Sequence, residues 1–117
     1  MKKVLIIEDE PDIAVTEKKI VERAGYSVEY ALDPLDGLKI AKGFDLIILD
    51  LLMPGMSGQE VLAELKRRKI KTPVIIVSAS GASGDLEIRS KYPGVGTVSK
   101  TRIIEDLVEQ IRAKIGK

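Results

Sequence analysis

The chain has 117 residues, 44% of them hydrophobic, which is enough to build one domain around a real core. Its 19 basic and 18 acidic residues nearly cancel, so no global field draws it to nucleic acid or to an anionic membrane. With no cysteine and no histidine it can form no disulfide, no thiolate site, no zinc site of the usual kind, no serine or cysteine triad and no phosphohistidine of its own.

After Met1-Lys2-Lys3, the apolar run 4–7 reads as a first strand and ends in Glu8-Asp9. Four apolar residues fall short of the roughly 7–15 of a signal-peptide core and the ~20 of a membrane span, so a soluble, cytoplasmic protein with no membrane contact is expected. Pro11 suits the first turn of a helix whose Ile13, Ala14, Ile20, Val21 and Ala24 face inward, and Gly25 suits its stop. A shorter, more polar strand follows at 27–31, and Asp33-Pro34 opens a second helix as N-cap and N1. Residues 46–49 form a third, unbroken apolar run that leads into Asp50 and then the turn Met53-Pro54-Gly55. A carboxylate at the end of a buried strand is costly unless a cation or hydrogen bonds satisfy it.

Ser57 and Glu60 have capping-box spacing ahead of Val61, Leu62 and Leu65. The basic run Lys66-Arg67-Arg68-Lys69-Ile70-Lys71 reads as a solvated helix end that complements the dipole. A fourth strand is expected at 74–77, ending at Ser78, and a fifth at 95–99, ending at Lys100. Between them Gly81, Gly84, Pro93, Gly94 and Gly96 leave room only for a short, poorly amphipathic helix in a mobile region. The last helix, from about 102 to 115, places Ile103, Ile104, Leu107, Val108, Ile111 and Ile115 on one stripe. Where it ends the chain ends, so a single domain over 1–117 without an output domain is expected.

Strand and helix alternate five times, as in an α/β fold with a (βα)5 pattern and right-handed crossovers. With the apolar runs central and the polar ones at the edges, a doubly wound five-stranded parallel sheet of flavodoxin-like order 2-1-3-4-5 results. In such a sheet a site forms beyond the carboxyl ends of the strands where strand order reverses, here between strands one and three. Glu8, Asp9 and Asp50 converge there, and an all-oxygen acidic cluster favours Mg²⁺. Ser78 and Lys100 lie at the same end of neighbouring strands, where a hydroxyl and an ammonium make a cradle for a phosphoryl group.

Glu8-Asp9, Asp50 with Met53-Pro54-Gly55-Met56-Ser57-Gly58, Ser78-Ala79 and Lys100, in this order, resemble the receiver domain of bacterial two-component response regulators, in the stand-alone, chemotaxis-type form. The resemblance covers the whole chain. It implies a phosphorylation switch, not an enzyme beyond Mg²⁺-dependent self-phosphorylation and self-dephosphorylation. Asp50 would accept a phosphoryl group from the phosphohistidine of a sensor histidine kinase or phosphotransfer protein. Asp9, Asp50 and the Leu52 carbonyl would bind Mg²⁺ directly and Glu8 through water, while Ser78 and Lys100 would hold the phosphoryl oxygens. The output would be contact with a downstream protein through the fourth helix, fifth strand and fifth helix.

Two positions depart from the family pattern. Thr101 follows the lysine where a cis proline is usual, so the Lys100-Thr101 bond is either trans or strained. Thr97 stands where the family places an inward-swinging aromatic, so coupling through that side chain should be weak or absent. These departures sustain a rival reading, a phosphorylation-independent interaction module whose readout has decayed. A flavin or nucleotide carrier on the same fold is disfavoured by the acidic, glycine-free loop Glu8-Asp9-Glu10-Pro11.

Overall fold

The computed structural model describes residues 1–79 and 82–116, of which 82–86 by backbone alone. Five strands and five helices alternate along the chain: β1 (Lys3–Ile7), α1 (Pro11–Arg23), β2 (Ser27–Ala31), α2 (Pro34–Ile40), β3 (Leu46–Asp50), α3 (Gly58–Arg67), β4 (Val74–Ser78), α4 (Ala82–Lys91), β5 (Gly96–Ser99) and α5 (Ile103–Ile115). All strand pairs are parallel and the order is β2-β1-β3-β4-β5, the doubly wound arrangement expected from the sequence.

The reason lies in the pattern of the runs. Every residue of β3 and β4 is buried, since helices cover both faces and leave no room for polar alternation. One layer of core joins Leu5, Ile7, Ile47, Leu49 and Ile76 to Leu62 and Leu65 of α3; the other joins Val4, Ile6, Ile48 and Val77 to Val21, Leu107 and Ile111 of α1 and α5. The helix starts follow their local chemistry. Asp33 accepts from the N–H of Leu35 at 2.8 Å and of Asp36 at 3.4 Å, with Pro34 at N1. Ser57 and Glu60 form the reciprocal box, at 3.2 and 3.1 Å. Gly25 takes φ +102 just past α1, a conformation other residues reach only with strain.

Two expectations need correction, and one buried position was missed. The fourth helix is not short: α4 has ten residues, as many as α3, while α2 has seven. Buried Ile88 anchors it, and tertiary packing outweighs the helix penalty of its glycine. Gly81 lies outside the described residues, as does the surrounding of Gly84. Ile104 is 73% exposed rather than part of the inner stripe of α5, because the i, i+4 row through Ile103, Leu107 and Ile111 leaves it about 100° away. Finally, Glu17 is buried with Ala14 and Val21 on the inner face of α1, a position the apolar pattern had not included.

Candidate functional site

Parallel strands that start at one edge finish at the other, so their last residues collect at one end of the sheet. β1 is followed there by Glu8 and Asp9, β3 ends in Asp50, β4 ends in Ser78, and β5 is followed by Lys100. The β3–β4 register pairs Asp50 with Val77, which carries Ser78 one residue further, and Ser78 pairs with Ser99 immediately before Lys100. All five residues singled out from the sequence thus come to one pole.

Asp50 is 4% exposed and Glu8 1% exposed, whereas Asp9 is half-buried. One carboxylate oxygen from each of these three lies within 4.8 Å of the others. The Lys100 ammonium is 3.3 Å from Asp50 Oδ1 and 3.9 Å from Glu8 Oε1. Neither of those oxygens accepts a well-formed hydrogen bond among the described residues. The other oxygen of Glu8, Oε2, accepts from the Glu10 N–H at 3.2 Å.

The titration behaviour follows. Burial, with the Asp50 charge adding to it, pushes Glu8 up to about 8 in spite of the Glu10 N–H, which acts the other way. Partial burial lowers Lys100, but Asp50 and Glu8 together outweigh it and raise the ammonium above its ordinary value. Burial also pushes Glu17 up to about 7, with Asp50 adding and Lys100 opposing.

The loop after Asp50 is fixed from both sides. Leu51 N–H donates to the Val77 carbonyl at 3.0 Å, and Gly58 N–H closes back onto the Leu51 carbonyl at 2.8 Å. Met53 is buried, Leu52 points its side chain to solvent at 71% exposure, and Gly55 turns the chain with φ +82. On the other side Lys100 opens a single 3-10 turn, Lys100–Arg102, capped by Ser99, whose Oγ accepts from Thr101 N–H at 3.3 Å. No cis peptide bond occurs among the described residues, so Lys100-Thr101 is trans and the lysine still reaches Asp50. Thr97 is tied outward: Arg89 Nη2 of α4 donates to its Oγ1 at 2.8 Å.

Three clustered carboxylates, two of them with an orphaned, buried oxygen (Glu8 Oε1 and Asp50 Oδ1), fit a hard, oxygen-seeking cation of the Mg²⁺ kind, for which no nitrogen or sulfur ligand is needed. The basic run at the end of α3 and just beyond it lies elsewhere. Glu64 pairs there with Arg67 and with Arg68, the latter at 3.0 Å, while Lys66, Lys69 and Lys71 line a surface groove of about 400 Å³ at the opposite pole. Glu17 went unnoticed because a carboxylate in a helix reads as solvent-facing; the available signal was its i, i+3 and i+7 spacing with Ala14 and Val21.

A doubly wound parallel sheet with an acidic cluster, a hydroxyl and a lysine at its carboxyl pole defines the class of phosphoacceptor switch domains. The chain belongs to the response regulator receiver domain family, whose profile matches residues 4–112. Among its relatives, YkoG of Bacillus subtilis, an uncharacterized transcriptional regulatory protein, is 36% identical over 114 residues, which are 96% of this chain and 50% of YkoG. Response regulator ArlR of Staphylococcus saprophyticus is 32% identical over 117 residues, 98% of this chain and 53% of ArlR. The chain therefore spans about half the length of these curated relatives. Chemotaxis protein CheY4 of Vibrio cholerae superposes with a TM-score of 0.87 at 26% identity, covering 97% of this chain and 98% of that one. Response regulator TrrA of Thermotoga maritima, in complex with Mg²⁺ and BeF, gives 0.83 at 30% identity, covering 97% and 98%. Phosphorylation of an aspartate with Mg²⁺ bound at the acidic pocket is generic to this family, which signals and is not a class of conventional enzyme.

Proposed function

We propose that residues 1–117 form one receiver unit in which Asp50 is the phosphoacceptor of a cytoplasmic two-component pathway. The observation that carries this is the placement of a buried carboxylate at the end of β3 with Lys100 3.3 Å away and two further acids beside it. Asp9, Asp50 and the Leu52 carbonyl would hold Mg²⁺, with Glu8 contributing through water. The bound cation supplies charge neutralisation where three anionic groups meet a fourth.

An Asp50 oxygen attacks the phosphorus of a phosphohistidine on a sensor kinase or phosphotransfer protein. The P–N bond breaks, its electron pair stays on the imidazole nitrogen, and that nitrogen takes a proton. Lys100 offsets the added charge on the phosphoryl oxygens, and the Ser78 hydroxyl donates to one of them. The new dianion draws both groups inward and alters the surface of α4, β5 and α5, where a downstream protein reads the state.

Incubation with Mg²⁺ and acetyl phosphate tests this. Intact-mass spectrometry should find one added phosphoryl group, absent in Asp50→Asn. An unmodified wild-type chain would remove the switch and leave the second reading, an interaction module independent of phosphorylation. The Arg89–Thr97 bond favours that alternative, since it fastens α4 to β5 where an aromatic would otherwise move.

A further inference from the structure

Glu17 is a large polar side chain on a stripe that otherwise buries Ala14 and Val21. It is 2% exposed, and its Oε2 has no hydrogen-bond partner among the described residues. A carboxyl in that position is unfavourable by comparison with the aliphatic residue the slot would accept, unless a cation offsets its charge. Glu17 lines a pocket of about 290 Å³ with Asp12, Ile13, Thr16, Lys100 and Ile103. Lys100 is the one basic residue of that lining, and it also touches Asp50 across the site. The charges of Asp50 and Lys100 both act on Glu17, with opposite sign. Lysine carries its charge on a flexible four-carbon stem, so a single ammonium can serve two acceptors in turn.

We propose that Glu17 is a positioning residue for Lys100: its carboxylate forms a second, buried seat for the ammonium behind the acceptor site and competes for it with Asp50. The consequence for phosphorylation rests on the reading of Asp50 as acceptor, while the seat itself rests on α1 and the pocket. Glu8 Oε1 also lies 3.9 Å from the ammonium, so an anion arriving at Asp50 must recruit Lys100 from a partition among Asp50, Glu8 and Glu17. Removing the Glu17 seat leaves the lysine at Asp50 and Glu8, on the acceptor side, and pre-organises the site.

Two measurements on the full chain decide this. In metal-free protein, the ε-CH₂ resonances of Lys100 should shift in Glu17→Gln as clearly as in Asp50→Asn, with the other lysines unmoved. In Mg²⁺, titration with beryllofluoride should give an apparent Kd about threefold lower in Glu17→Gln than in wild type, and no difference between Lys100→Met and the double variant. Glu17→Leu, whose side chain suits the buried slot, should repeat both effects, and Glu17→Asp should restore part of the wild-type shift. Unmoved Lys100 resonances would overturn the proposal. So would a Kd change of the same size in the Lys100→Met background, which would mean that Glu17 acts through its own charge. Failure of the wild type to take up beryllofluoride would count against the acceptor reading alone, and the resonances would then decide the seat.

Discussion

Gly58 lies directly against the backbone of Asp50: a Cβ placed on it would fall 2.7 Å from the Asp50 carbonyl oxygen and 2.8 Å from Leu51 Cα. Neither atom belongs to a flexible side chain, so the contact cannot be relieved locally. Gly58→Ala is therefore expected to cost about 1–3 kcal/mol and to displace the loop that follows Asp50. Urea melts give the cost, and acetyl phosphate uptake per folded molecule reports the displacement. A variant as stable as wild type would show that the α3 start can move off the loop freely.

Glu17 sets a pH dependence of known sign. Its carboxyl is pushed from an ordinary 4.5 up to about 7, so folding favours the protonated form. That contribution is complete below about pH 4.5 and is lost as pH rises through about 7. Asp50 of β3 raises the value, Lys100 after β5 lowers it, and Asp12 lies in the same pocket. In chelator, wild-type stability should fall between pH 5 and 8 by on the order of 3 kcal/mol more than that of Glu17→Gln. Parallel stability curves for the two proteins would dismiss the effect.

Magnesium should stabilise the fold by mass action. At a concentration about ten times its Kd the gain is about 1.4 kcal/mol, read as a rise in Tm over the same protein in chelator. Asp9→Asn and Asp50→Asn should each lose most of that rise. An equal rise in all three proteins would place the bound cation elsewhere.

The α4–β5 tie should be measurable in isolation. Thr97→Val and Arg89→Ala each remove the 2.8 Å bond, and a double-mutant cycle is expected to return a coupling of about 0.5–1 kcal/mol. A coupling within error of zero would show that water replaces the bond at no cost.

What the sequence disclosed divides along physical lines. Apolar runs without alternation, proline at N1 and the Ser57–Glu60 box are local signals, and each led to an element that is present. The pole of the site was equally legible, because parallel strands deliver their carboxyl ends to one place whatever the loops do. Three things were not. Glu17 violates the usual link between charge and exposure, so only helical spacing could reveal it. The length of α4 depends on Ile88 reaching the core, which outweighs local propensity. The partner of Thr97 lies across a turn, eight residues away, and no pattern in the chain announces it.

That last contact is a clasp, not a wedge. A bulky ring that moves inward has to find volume, and the core around it must be shaped to receive it. A guanidinium resting on a hydroxyl at the surface can be drawn away by any stronger acceptor, with no space vacated and no core side chain rearranged. Under the proposed switch, communication along this edge of the sheet would be a matter of competition for Arg89 rather than of room beneath Thr97.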